Sequence, residues 1–235
     1  MATLYLIRHG QASFGAADYD KLSPLGERQA GVLGGYLRDH GISIDAAYCG
    51  GLSRQKRTAE IALGAQAQDV PLTVDPRFDE VRNDEHLEHL LPALMEEDAA
   101  LKALVERGLT TSRDYQKALR AVFTHWVSPE CDVPQIQSWD EYSAGVAAAL
   151  EAVTAAHGSG STVAVFTSGG TIATAVAFML GLPGSHAYAF YEPLLNASIT
   201  KAFYSKGKIS LSSFNEHAFL DVLGRRGEES LLTYR

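Results

Sequence analysis

The sequence predicts an α/β fold of three layers, with a mostly parallel central sheet between helices. Two observations carry this. Short apolar runs at residues 4–7, 45–49, 70–74 and 162–167 alternate with stretches of helical length and pattern. The first run empties into a polar, glycine-containing loop at Arg8-His9-Gly10, and the run at 162–167 empties into Ser168-Gly169-Gly170. A short apolar run bounded by a turn signal reads as a buried strand. Strands that alternate with helices pack as a parallel sheet covered on both faces, and such sheets bind ligands at the carboxyl ends of their strands.

The elements follow in order. The first strand leads into a long loop through Asp20. Ser23-Pro24 opens a helix, with serine as the cap and proline at the first helical position. It is predicted to run to about residue 39, with Ala30, Leu33, Tyr36 and Leu37 on its inner face; glycines at 31, 34 and 35 lower its propensity but permit close packing. Gly50-Gly51 ends the second strand, and a helix is predicted over 54–64, then a strand over 70–74. From 83 to 134 the character changes. A helix over 84–107 is expected to break or kink near Pro92, and a second spans 113–127. Ser138-Trp139-Asp140-Glu141 has capping-box spacing and starts an alanine-rich helix to about 156. After the strand at 162–167 come a helix over 171–180 and two strands over 197–203 and 208–214. The expected organisation is a single domain over 1–235, with the helical insert of about 83–134 lying over the carboxyl edge as a lid.

Arg8-His9 at that edge suits phosphate chemistry. Arginine offers a planar fork of donors to phosphoryl oxygens. A neutral histidine is a nucleophile that accepts a phosphoryl group. Gly169-Gly170 ahead of a helix frees backbone N–H groups for an anion. Plainer readings exist for other residues. Arg54 and Arg57 suit an exposed helix face, Glu80 suits a solvated acidic pair with Asp79, and His217 suits a structural role. His86 and His89 have metal-compatible spacing beside Asp84, Glu85 and Glu88, but no third ligand is evident. No metal and no cofactor is expected.

Composition narrows the classes. Hydrophobic residues make up 46%, enough for an ordinary core. A net charge of −8 argues against a nucleic-acid partner but leaves a small anionic substrate open. The two cysteines, Cys49 and Cys131, are far apart, which favours a reducing compartment. The first residues lack a basic, apolar leader, and no stretch is long enough to span a bilayer. A cytoplasmic protein without a membrane partner is expected. The sequence carries no signal of oligomeric state.

Taken in order, these motifs resemble the histidine phosphatase superfamily, with its phosphoglycerate mutase-like fold. The resemblance runs through Arg8-His9-Gly10, Leu25-Gly26 and Gln29-Ala30, Ser53-Arg54 with Thr58-Ala59-Glu60, Arg77 with Glu80, and the strand before Ser168-Gly169-Gly170. It implies that His9 is the phosphoryl-accepting nucleophile and that Arg8 and Arg54 hold the phosphoryl oxygens. Glu80 is implied as the acid that protonates the leaving alcohol and then as the base for water. An electron-rich phosphoryl transition state needs preorganised positive donors, and a leaving alkoxide needs a proton.

The chain departs from that pattern at Ser168, where the family carries a second histidine. Loss of one donor of this kind typically costs about 2.7–4 kcal/mol of transition-state stabilisation. Cys49-Gly50-Gly51 also replaces a serine-rich turn, which is expected to loosen it. The leading reading is a metal-independent phosphatase acting on a small phosphorylated substrate through a phosphohistidine on His9, with Ser168 beside the phosphate. The alternatives are a catalytically weak or inactive phospho-ligand-binding protein of the same fold, or a phosphoglycerate mutase. Against the mutase, Val81-Arg82-Asn83-Asp84 stands where those enzymes carry a longer signature. A serine hydrolase using Ser168 is disfavoured, because Phe166 occupies a position where a nucleophile elbow needs glycine.

Overall fold

The computed structural model describes residues 1–13, 20–224 and 230–234. The part of the first long loop at 14–19 lies outside the described residues. Among the described residues six strands form one sheet in the order β3-β2-β4-β1-β5-β6: β1 (Ala2–Arg8), β2 (Ala46–Cys49), β3 (Leu72–Val74), β4 (Thr162–Thr167), β5 (Ile199–Ser205) and β6 (Lys208–Glu216). The β3-β2-β4-β1 ladders are parallel, and β5 and β6 run antiparallel at the other edge. The mostly parallel sheet is as predicted.

β1 and β4 are buried on both faces, which explains their near-continuous apolar runs. Alternate residues serve opposite layers. Leu4, Leu6, Val163 and Val165 face a core shared with α6 (Trp139–Ala156) and α7 (Gly169–Leu180). Tyr5, Ile7, Ala164 and Phe166 face α1 (Pro24–Asp39), α2 (Ser53–Leu63) and the short α9 (Ala218–Gly224). Ser23 caps α1 by accepting from Gly26 N at 3.0 Å, and Ser138 with Glu141 forms the capping box of α6. These are the predicted caps.

The region 83–134 contains α3 (Asn83–Glu97), α4 (Ala99–Glu106) and α5 (Ser112–Trp126). The expected break near Pro92 is not there. α3 continues through Pro92, which lies on an exposed face, and the chain breaks at Asp98. Asp98 adopts extended backbone, and its carboxylate accepts from Ala100 N at 2.8 Å and Leu101 N at 3.0 Å. A side-chain cap that starts a new helix decided the boundary, not the proline. α8 (Ala187–Tyr191) and α9 were not predicted. Among the described residues no helix is long and apolar enough to cross a membrane.

Candidate active site

β1 and β4 end side by side, because Arg8 and Thr167 are register partners. His9 N donates to Thr167 O at 2.9 Å, so Arg8-His9 and Ser168-Gly169 leave the sheet as neighbours. Hydrogen bonds then fix the loop. Gly10 N donates to Thr58 Oγ1 at 3.1 Å, and the Thr58 hydroxyl donates to Arg54 O at 2.7 Å. Thr58 thereby ties the His9 loop to the turn of α2 that carries Arg54. The His9 carbonyl accepts from Asn196 Nδ2 at 3.2 Å and Ala197 N at 3.1 Å. Buried Gln29 accepts from Gln11 N at 2.8 Å and donates to Leu231 O at 2.8 Å.

A cavity of about 370 Å³ opens over this edge, with Arg8, His9, Arg54 and Glu80 in its wall. His9 is only 4% exposed. Its Nδ1 lies 2.7 Å from the Gly10 carbonyl, which can only accept, so Nδ1 carries the proton. Nε2 keeps its lone pair and receives Arg54 Nε at 3.2 Å. Burial, then the charges of Arg54 and Arg8, hold the imidazole well below its usual 6.5, against a weaker opposing effect of the Gly10 carbonyl. The ring is neutral, with its unprotonated nitrogen among cations.

Each other group is held from behind. Arg54 Nη1 forms an ion pair with Asp20 Oδ1 at 2.8 Å, and Asp20 Oδ2 accepts from Ser53 N at 2.7 Å. Arg8 Nη1 donates to the Leu194 carbonyl. Glu80 Oε1 accepts from Gly170 N at 2.8 Å, at the start of α7, and from Val81 N at 3.0 Å. The two glycines are required by close approach. A Cβ on Gly170 would lie 2.5 Å from Glu80 Oε1, and one on Gly169 would lie 2.7 Å from the Tyr191 ring.

Ser168 behaves differently from the expectation. It adjoins this edge but is fully buried and absent from the cavity wall. Its hydroxyl accepts from Gln55 Nε2 at 2.8 Å, so the serine is turned into the packing of α2. The loose turn expected at Gly50-Gly51 is also corrected. Gly51 N donates to the Asp79 carboxylate, and Gly50 leaves room for Gln55 and Asp79. Arg57 takes the plainer role, paired on the surface with Glu27 at 2.9 Å. His217 lies outside the cavity wall, with Nδ1 at 2.6 Å from Asn215 O. Among the described residues no group of three or more His, Cys, Asp or Glu side chains is placed to hold a metal ion.

Sequence reading missed Asp20, Gln29, Gln55, Thr58 and Asn196 as supports of this site. Only Gln29 and Thr58 carried a signal, as members of the ordered motifs.

No curated protein matches the chain. Solved structures do. The chain is 22% identical to a phosphoserine phosphatase from Entamoeba histolytica, covering 94% of this chain and 100% of that one at a TM-score of 0.65. It is 18% identical to the alpha-ribazole phosphatase from Shigella flexneri, over 91% and 96% of the two chains at a TM-score of 0.62. It is 22% identical to a mycobacterial glucosyl-3-phosphoglycerate phosphatase, over 91% and 98% at a TM-score of 0.60. At these identities the likeness is one of fold. The profile of the histidine phosphatase superfamily (branch 1) matches residues 4–103 and 104–217, nearly the whole chain, and the chain belongs to that superfamily.

Proposed function

We propose that this protein hydrolyses phosphomonoesters through a phosphohistidine on Nε2 of His9. The observation that carries the reading is the state of His9. Its proton is on Nδ1, its Nε2 lone pair faces the cavity's arginines, and its charge is suppressed.

The steps follow from the side chains. The phosphoryl oxygens take the donors of Arg8 and Arg54, and a bound phosphoryl group draws Arg54 Nε away from Nε2. The freed lone pair attacks phosphorus, and the ester P–O bond breaks. Glu80 gives a proton to the departing oxygen. Its Oε1 is anchored on Gly170 and Val81, so Oε2 is the oxygen assigned to proton transfer. The phosphorylated ring keeps its Nδ1 proton and is positive, which the Gly10 carbonyl stabilises. Glu80 then takes a proton from water as the water oxygen attacks phosphorus and the P–N bond breaks. Phosphate leaves and His9 is neutral again. Charge compensation comes from two arginines, since Ser168 is turned away. We assign substrate choice to the 83–134 insert, whose α3 and α5 contribute Asp84, Tyr115 and Leu119 to the cavity wall.

The test is transfer of label. Brief incubation with a radiolabelled phosphomonoester should leave acid-labile phosphate on the wild type and none on His9→Ala, which should also lose turnover. A chelator should not change the rate. Turnover retained by His9→Ala would overturn the reading. Phosphate binding without turnover or label would instead establish a binding protein.

A further inference from the structure

On that reading of the site, we infer that the substrate's alcohol carries a cationic amine, and that the cavity rejects a second anionic group. The cavity changes character along its length. At the sheet end Arg8 and Arg54 supply positive charge. Beyond them the wall is formed by the start of α3, by α5 and by α8. Among the described residues, its charged groups there are Glu80, Asp84, Glu85 and Glu192, with Arg82 as the cation.

Two arginines at or beside this wall are already engaged. Arg82 bridges to Glu85 at 3.2 Å. Arg120, which is not part of the wall, pairs with Glu192. Asp84 has the Tyr115 hydroxyl at 3.5 Å and, among the described residues, no ion-pair partner. The rest of this wall includes the rings of Tyr115, Tyr188 and Tyr191, alongside Asn83, Gln116 and Leu119. Tyrosine faces attract cations, and Tyr188 already holds one, the Arg120 guanidinium 5.5 Å from its ring centre.

This distribution discriminates by charge. A carboxylate or second phosphate on the substrate would meet four carboxylates, of which Glu85 and Glu192 are paired with arginines and Glu80 and Asp84 have no ion-pair partner among the described residues. Like charges held together across an interface are strongly disfavoured. An ammonium group would meet Asp84 and tyrosine rings instead. The volume of about 370 Å³ suits a small alcohol. The arginines take the phosphate, the carboxylate and tyrosines take the amine, and the ester oxygen between them lies toward Glu80.

The experiment compares kcat/KM of the full chain for phosphoethanolamine and 3-phosphoglycerate, with p-nitrophenyl phosphate as a reference without a second charge. The wild type should favour phosphoethanolamine over 3-phosphoglycerate by about tenfold or more, and the preference should shrink as salt is raised. Asp84→Asn should lower that ratio about fivefold, and Asp84→Lys should invert it. Asp84 is exposed at the start of a helix, and circular dichroism checks that both variants fold. Turnover of p-nitrophenyl phosphate with 3-phosphoglycerate equal to or better than phosphoethanolamine overturns this inference and leaves the phosphatase reading standing. No turnover of any ester and no label on His9 overturns the phosphatase reading. Equilibrium binding of the two charged esters then still reports the preference, and tighter binding of 3-phosphoglycerate would refute it.

Discussion

Gln55 Nε2 stands 2.8 Å from the Ser168 hydroxyl and 3.0 Å from the Phe78 carbonyl, while Gln55 Oε1 accepts from Leu52 N at 3.3 Å. Both side chains are fully buried. One amide therefore anchors the turn of α2 and occupies the space beside position 168. An amide nitrogen only donates, so Ser168 is the acceptor in this pair.

Ser168→His alone is expected to fail as a gain-of-function change. The imidazole would have to displace Gln55 from a filled site, and overpacking of this kind costs roughly 1–3 kcal/mol. The rate on p-nitrophenyl phosphate should not rise. Combining it with Gln55→Ala makes room, and the new histidine then adds a donor at the phosphate. A rise of about ten- to a hundredfold in kcat is expected for the double variant, within what one oxyanion donor contributes. Thermal melts and steady-state rates of the wild type and both variants check this. A faster Ser168→His single variant would show that Gln55 moves freely.

Gly170→Ala should damage proton transfer more than phosphate binding. The added methyl would lie 2.5 Å from Glu80 Oε1 and 2.6 Å from Val81 Cγ2, so Glu80 must shift. Misplacement of a reacting group by about 1 Å can cost on the order of a hundredfold. We expect kcat to fall ten- to a hundredfold while the inhibition constant of inorganic phosphate, held by Arg8 and Arg54, changes little. Equal losses in both would place Glu80 in binding.

The acid limb of kcat/KM should lie well below 6.5. Burial, Arg54 and Arg8 all penalise the charged imidazole, so His9 stays neutral as pH falls through the usual histidine range. Arg54→Gln removes one of the two charges, and the limb should move upward, toward 6.5, in the activity that remains. A pH–rate profile of both proteins measures this. A wild-type limb at or above 6.5 would contradict the proposed state of His9.

His86 should make the fold sensitive to acid. It is 2% exposed, its ring centre is 4.3 Å from that of Trp126, and burial, then the charge of Arg82, lower it to about 4. The unfolded chain binds this proton near 6.5. The group's contribution is therefore fully present above 6.5 and is lost as pH falls from 6.5 toward 4, by on the order of 2–3 kcal/mol. Chemical denaturation of His86→Phe at pH 7 and pH 4.5 should show a smaller drop than the wild type. An equal drop would assign the acid sensitivity elsewhere.

The local features were legible in the chain because their causes are local. Ser23 and Ser138 cap helices through bonds to residues three positions on, and the period of the apolar runs reports strands buried on both faces. Arg8 and His9 were nameable for a related reason, since they lie at the end of the first strand, whereas Arg54 and Glu80 were named by the resemblance of the ordered motifs to the family. The break at Asp98 was misplaced because proline is a visible breaker, whereas a side-chain cap in the middle of a polar stretch is not.

The alternation of strands and helices, and hence which residues emerge at the carboxyl edge, is encoded in local patterns along the chain. The tertiary structure decided which of them face one another. Ser168 and Gln55 are 113 positions apart, and Asp20 and Arg54 are 34 apart. Ser168 and Gln55 meet because β4 lies between β1 and β2, an order that no neighbouring residue along the chain encodes. That insertion brings Ser168 beside His9 and leaves Gln55 to claim its hydroxyl. A local pattern encodes a residue's place on its own element, whereas its partner depends on every element packed around it.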